Sequence, residues 1–438
     1  MPEVDFIDTQ IAREDTRSLA EKTKDRLVLG GCQVLLFTAF LIGLALEDAI
    51  MVSGFLLFVI AAAVSWGRMP KLSEWARALL HSNKRFSLLL LTGLLVLFPF
   101  IFLDNPYLIH LGALAAIFAI MALGLNITLG FCGLLDVGFA VYFAAGAYTS
   151  SQLAVIYDVS FWIGLPLGGL MAAMFGFLVA WPALRVHDHY LALVTLGYGL
   201  IMNLLHRNFT FLTHGTDGVI NIPPPSIFGW SFITPITIGD IELPFQMNFY
   251  FLALIITALT IFISIRLRDS NLGRQWEAIR EDEVAARCFG VNVTRLKIIA
   301  FSTGAFFGGV GGAVFAHMIG FVHPDNFVLL TSIMILAMVI IGGMGNIAGV
   351  VVGAVALTLI PERLREFEDL RMLLFGSALV LIMIYRPQGL FPTLRRRREL
   401  QEDKINALIA KSGRDDAEAP GLPNKGKAKV KPGSTHGI

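Results

Sequence analysis

Runs of about 20 mostly apolar residues recur along nearly the whole of this 438-residue chain, and they constrain its fold more than any single motif. At a rise of 1.5 Å per residue, a helix of that length crosses the hydrocarbon core of a bilayer. Such runs lie at 27–46, 49–66, 86–103, 108–129, 138–157, 163–184, 190–205, 248–265, 298–318, 330–342, 347–360 and 372–385. They predict an all-α polytopic membrane protein with about twelve transmembrane segments. Composition agrees, since 55% of residues are apolar and only 15% charged, against about a quarter charged in soluble proteins. Intrinsic disorder, collagen, a coiled-coil rod and a disulfide scaffold are excluded by the same figures. No basic stretch interleaved with aromatics points to nucleic acid. Cys32, Cys132 and Cys288 have neither metal-ligand spacing nor an even framework.

Lysine and arginine in short loops set orientation, because they are retained on the cytoplasmic side. The N-terminal tail, 1–26, holds Arg13, Arg17, Lys22, Lys24 and Arg26, and the 67–85 loop holds Arg68, Lys71, Arg77, Lys84 and Arg85. The 266–297 loop holds Arg266, Arg268, Arg274, Arg280, Arg287, Arg295 and Lys297. Loops 47–48, 104–107, 158–162 and 319–329 hold none, and the long 206–247 loop holds only Arg207. Twelve crossings alternate with this pattern and place both termini in the cytoplasm. Loop 361–371 dissents, with Arg363, Arg365 and Arg371 on the outer side among Glu362, Glu366, Glu368 and Asp369. The first apolar run follows 26 polar residues, too long an n-region for a signal peptide, so it is read as a retained helix.

The chain accordingly divides into a cytoplasmic tail (1–26), a two-helix extension with its linker (27–85), a ten-helix core (86–392) and a basic tail (393–438) expected to be disordered. Segments 330–342 and 347–360 are short for spans and flank Gly342-Gly-Met-Gly-Asn346. They read either as two short helices or as one broken segment buried among neighbours.

Glycines crowd the apolar runs at Gly124 to Gly146, at Gly304 to Gly312 and at Gly342 to Gly353. Small residues let helix backbones touch in lipid, where no hydrophobic force draws helices together; they also allow helices to slide. Ionisable groups inside the runs are few, and each is a functional candidate. Asp136, between two spans, fits a helix cap or a substrate contact, and Asn126 and Tyr142 offer polar groups to a translocation path. Tyr148 and Asn203 do the same, while His317 is expected at the outer interface. An ion-coupled carrier needs acidic ligands at mid-membrane, and only Asp136 qualifies. The chain lacks a G-x-x-x-x-G-K-[ST] phosphate loop and any nucleophile triad or His-Glu-x-x-His helix, so it is expected to be non-catalytic.

The 266–297 loop carries the strongest signal. Trp276, Ile279, Ala286, Phe289 and Val293 fall at helical steps and predict one apolar face on a helix of about four turns. Gly290 is expected to end it in the left-handed conformation. Glu283 and Arg287 make a favourable i,i+4 pair, and Glu277 and Glu281 an unfavourable one. Acidic groups held on one side at that cost suggest a basic partner surface; the other reading is an amphipathic helix lying on the membrane.

Glu283-x-Ala285-Ala286-x-x-x-Gly290 resembles the cytoplasmic loop by which ABC importer permeases dock onto their ATPases, with one residue interposed after the acidic position. The run Arg280-Glu-Asp-Glu-Val-Ala-Ala-Arg-Cys-Phe-Gly-Val291 surrounds it, followed by Ala300-Phe-Ser-Thr-Gly-Ala-Phe-Phe-Gly-Gly309, Gly320-Phe-Val-His-Pro-Asp-Asn-Phe327, Ile341-Gly-Gly-Met-Gly-Asn346 and Arg386-Pro-Gln-Gly-Leu-Phe-Pro392. With Gly124-Leu-Asn-Ile-Thr-Leu-Gly130, Gly133-Leu-Leu-Asp-Val-Gly138, Gly146-Ala-Tyr148 and Gly215-Thr216-Asp217-Gly218, the stretch from about 108 to 392 resembles the LivM-type permeases of branched-chain amino acid ABC importers.

The resemblance implies a bacterial inner-membrane subunit that pairs with a homologous second permease, two ATP-binding subunits and an extracytoplasmic substrate-binding protein. ATP and magnesium would be used by the ATPases, with no cofactor bound by this chain. Trp276, Glu277, Ile279, Arg280, Glu281, Glu283, Ala285, Ala286, Phe289 and Gly290 would form the coupling helix. Gly215, Thr216, Asp217 and Gly218 would meet the binding protein. Relatives of this type also carry urea, short amides or other amino acids, and an ion-coupled secondary transporter or a membrane scaffold is the alternative class.

Overall fold

The computed structural model describes residues 19–45, 83–183, 188–227, 229–238, 241–363, 376–377 and 380. The expected span 49–66, nearly all of 372–385, most of the 361–371 loop and the 393–438 tail lie outside the described residues. Within them the apolar runs are helices. Those used below are α1 (Leu19–Ala45), α2 (Lys84–Ile101), α3 (Pro106–Leu125), α4 (Ala140–Tyr157), α5 (Phe161–Ala183), α6 (Asp188–Asn208), α7 (Gln246–Arg268), α8 (Asn271–Glu281), α9 (Glu283–Cys288), α10 (Val293–Ile319), α11 (Leu329–Gly342) and α12 (Ile347–Arg363). Among the described residues, four stretches, Pro106–Phe131, Phe161–Trp181, Gln246–Arg268 and Val293–Ile319, are long and apolar enough to cross a membrane.

α10 is the hub, packing along α5, α4 and α3. Its glycines make this possible. Gly146 of α4, Gly168 of α5 and Gly309 of α10 meet at one crossing, where a Cβ on Gly168 would stand 2.9 Å from the Gly146 carbonyl and one on Gly309 2.5 Å from the Cβ of Ala172. Dispersion between backbones is the force available there, and any larger side chain removes it. α7 lies against α3 on the other side, tied by Thr257 Oγ1, which donates to the Ala116 carbonyl at 3.0 Å. α2 reaches the body through Tyr250, whose hydroxyl donates to the Leu95 carbonyl at 2.9 Å.

The segment 330–360 is resolved as two helices. α11 and α12 pack side by side as a tight hairpin, with Gly342 against Gly349 and Val350, and Gly353 against Met338. Gly343 (φ 111°) and Gly345 (φ 83°) supply the reversal between them.

Contacts between loops sort them to two ends. At one, Tyr107 donates to Glu362, and the Trp162 indole N–H to the Ser226 carbonyl at 2.8 Å. Val219 and Val322 form an antiparallel bridge, Arg207 pairs with Asp325, and Asn203 donates to the carbonyls of Pro324 and Phe327, both at 3.2 Å. At the other end, the 126–138 segment meets the 271–297 loop and the α11–α12 turn. An alternating chain requires this grouping, and Glu362 of the dissenting loop joins Tyr107 at the lysine-poor end.

The fold is mostly helical as expected, and the long loop adds two short hairpins, pairing Ser226–Ile227 with Trp230–Ser231 and Ile236–Ile238 with Ile241–Leu243. The alternation Ile-Thr-Ile and Ile-Glu-Leu around a two-residue connection favours such pairing. His317 is buried rather than interfacial. Its Nδ1 lies 2.7 Å from the Pro223 carbonyl and its Nε2 2.9 Å from Ser150 Oγ, with the Phe161 ring edge-on at 4.9 Å. Because Nδ1 must donate to a carbonyl, Nε2 accepts from the serine, and the histidine binds the long 206–247 loop to α4 and α10.

Candidate functional site

The 266–297 loop is three capped helix starts in succession. Ser270 accepts from the Gly273 amide at 3.3 Å, Asp282 from Val284 and Ala285 at 2.8 and 3.0 Å, and Asn292 from Arg295 at 3.2 Å. Each side-chain oxygen satisfies donors that the first turn leaves free. Asp282 is therefore extended (φ −153°, ψ 109°) and splits the expected four-turn helix into α8 and α9. The expected single apolar face is corrected accordingly. Trp276, Ile279, Ala286 and Val293 are buried, whereas Phe289 is 89% exposed beside Val284 at 71%.

Gly290 is left-handed, as expected (φ 81°). Its amide donates to the Arg287 carbonyl at 3.0 Å and that of Val291 to the Ala286 carbonyl at 3.1 Å, the paired bonds of a Schellman ending. A Cβ there would meet nothing within 4 Å, so the constraint is backbone conformation alone. Gly290→Ala should cost about 1 kcal/mol, and Gly290→Val more, because β-branching disfavours this region further. Equal hydrogen-exchange protection over 283–291 in both variants and the parent would show that this turn does not constrain the loop.

Glu283 is engaged within the chain. It accepts from Arg287 at 2.6 Å and from the nearly buried Lys297 of α10 at 2.6 Å, so its charge is neutralised within the loop. The Trp276 indole is fully buried and donates to the Leu296 carbonyl at 2.9 Å. These contacts seat α8 and α9 on the start of α10. Glu277 and Glu281 lie on α8, and Ala285 lies on α9 with its amide held by Asp282.

Arg280, one turn on from Trp276, reaches the end of the bundle. There α3 continues as one π-helical turn, Asn126–Phe131, a form found at functional breaks in helices. Arg280 Nη1 donates to the Gly130 carbonyl, and its side chain packs on Gly133, where a Cβ would stand 2.9 Å from Arg280 Cγ. Gly130 is close to the Gly345 amide, 2.6 Å from where its Cβ would be, and that amide donates to Asn126 Oδ1 at 2.8 Å. The chain then crosses to α4, with Asp136 Oδ1 accepting from the Gly138 amide at 3.0 Å, Thr195 Oγ1 accepting from Val137 at 3.1 Å and Ser332 Oγ accepting from Ala140 at 2.8 Å.

Asn126, Asp136 and Tyr142, the path candidates, are all buried inside this chain. Asn126 Nδ2 and Asp136 Oδ2 find no protein hydrogen-bond partner there. At the far end, Gly215–Asp217 is a 3-10 turn; Thr216 and Asp217 are exposed, while Gly215 and Gly218 are buried. Gly218 (φ 68°) lies against the Val322 carbonyl, so it shapes the loop rather than its surface. No group of three or more metal-binding side chains occurs among the described residues.

The family model described as "Branched-chain amino acid transport system / permease component" matches residues 107–383. The chain is 39% identical over 332 residues to the high-affinity branched-chain amino acid transport system permease protein LivM of Escherichia coli K12, covering 73% of this chain and 77% of that protein. The Salmonella typhimurium LivM is 38% identical over 333 residues, covering 73% and 78%. The LivH permease of the same organism is 23% identical over 296 residues, covering 63% and 92%. No solved structure matches the chain.

Proposed function

The chain belongs to the family of permease components of branched-chain amino acid transport systems, and on that premise we propose that it forms half the translocation path of an ATP-driven importer for branched-chain or other neutral amino acids. It is the non-catalytic membrane subunit of such a system. A homologous second permease supplies the other half, two ATPases use ATP and magnesium, and an extracytoplasmic protein delivers substrate. Twelve crossings of the bacterial inner membrane, with both termini cytoplasmic, put the arginine-rich α8–α9 end inside.

The observation that supports coupling is the build of that loop. It is seated on α10 by Trp276 and the Glu283–Lys297 pair, yet it holds Val284 and Phe289 out to solvent. We take these two exposed apolar side chains as the anchors that meet the ATPase surface. At the opposite end, Thr216 and Asp217 are the members of their turn exposed to the binding protein. Asn126, Asp136 and Tyr142, buried within the chain, join the path when the break beside them opens. With so few charges on offer, substrate selection falls to the binding protein.

Phe289→Asp tests this reading. The side chain is 89% exposed, so membrane levels should stay within about twofold of the parent. Co-purification with the ATPases should fall about tenfold or more, the usual loss for an interface anchor worth over 1.4 kcal/mol. Unchanged co-purification and uptake would leave the loop lying on the membrane instead.

A further inference from the structure

We infer that Arg280 is the positioning residue that carries movement of the α8–α9 loop into the helix break of the membrane domain. The inference rests on the proposal that this loop meets the ATPases. Among the contacts that α8 makes with the body, two differ in kind. Through Trp276 it is fixed to the first turn of α10, a helix continuous across the bundle. Through Arg280 it holds the Gly130 carbonyl, which belongs to a π-helical turn.

The difference matters mechanically. A π turn carries one residue more than the α ladder accommodates, and such turns sit frequently at functional sites. The Cys132 amide reaches the Ile127 carbonyl at 3.3 Å and the Leu134 amide the Thr128 carbonyl at 3.0 Å, so the ladder loosens over the residues that follow Gly130. Arg280 grips this segment at both margins, by hydrogen bond at Gly130 and by packing at Gly133.

From the break, the contact passes on without a gap. Asn126 opens the π turn and accepts the Gly345 amide, fixing the turn between α11 and α12. Asp136 and Val137 close the crossing on Gly138 and on Thr195 of α6. A shift of α8 along its axis would therefore reach α3, α6, α11 and α12 through one side chain. A guanidinium suits this task because its planar fork stays charged and can hold a carbonyl in fixed geometry.

The test uses the full importer in proteoliposomes with its ATPases and binding protein. Three quantities are read for the parent, Arg280→Ala and Arg280→Lys: ATPase co-purification, ATP turnover and amino acid uptake. For Arg280→Ala we expect co-purification and turnover within about twofold of the parent and uptake down about tenfold, so that more ATP is spent per substrate moved. Arg280→Lys, which keeps charge and a donor but shortens the reach, should fall between. Uptake that falls only in proportion to turnover, or uptake within twofold of the parent, overturns the inference. Loss of ATPase co-purification in Arg280→Ala alone also overturns it, by placing Arg280 in docking. Failure of the parent itself to hold the ATPases would instead remove the functional proposal beneath it. If Arg280→Ala does not accumulate in membranes, the uptake-to-turnover ratio of Arg280→Lys decides: an unchanged ratio is the overturning result.

Discussion

Gly146→Val is expected to leave no folded permease in detergent extracts of the membrane. A Cβ on Gly146 would sit on the Gly309 backbone itself, and α5 closes the same crossing from Gly168. No rotamer relieves a clash whose other party is main chain. Ordinary overpacking costs ~1–3 kcal/mol, and separating three helix backbones costs more, because it forfeits the contacts that hold them in lipid. Set against a native stability of ~5–15 kcal/mol, that loss removes the fold. Gly197→Ala is the control, since nothing lies within 4 Å of its Cβ; it should gain roughly 0.5–1 kcal/mol from helix propensity. The measurement is yield and thermal midpoint by size-exclusion chromatography. A Gly146→Val protein that elutes and melts like the parent would refute the three-helix crossing.

How far the molecule was legible in its sequence depended on whether one element or two decided each feature. The helices read well, since membrane spans answer to local apolarity: the run at 298–318 sits within Val293–Ile319, and that at 248–265 within Gln246–Arg268. Gly290 was also legible, because a helix ending needs a left-handed residue at a set offset. The split at Asp282 was overlooked although its signal was local, an aspartate three residues before Ala285 in the pattern of an N-cap. The π turn is another matter. It is held by a carbonyl bond from Arg280, 150 positions away, and by packing against the Gly345 amide, and no periodicity reports such contacts. His317 eluded the reading for the same reason, its partners being Ser150 and Pro223.

The pairing of Glu283 with the nearly buried Lys297 ties α9 to α10, so the exposed Val284 and Phe289 are placed by how the loop is seated there. Trp276 is the largest buried side chain in that seating. Its indole is fully buried, and truncation of a buried tryptophan to alanine costs about 3–5 kcal/mol. A short helix such as α8 has little stability of its own, so Trp276→Ala should free the loop while the membrane helices stay folded. Trp276→Phe keeps most of the packing and loses the bond to Leu296, worth about 1 kcal/mol. Hydrogen exchange over 271–296 should therefore rise about a hundredfold or more in Trp276→Ala and about fivefold in Trp276→Phe, as 1.4 kcal/mol per tenfold dictates. Uptake should follow the same order, because a loop that yields under load passes no displacement to α3. Exchange that stays at the parent's level in Trp276→Ala would mean that the Glu283–Lys297 pair and the caps hold the loop without the tryptophan.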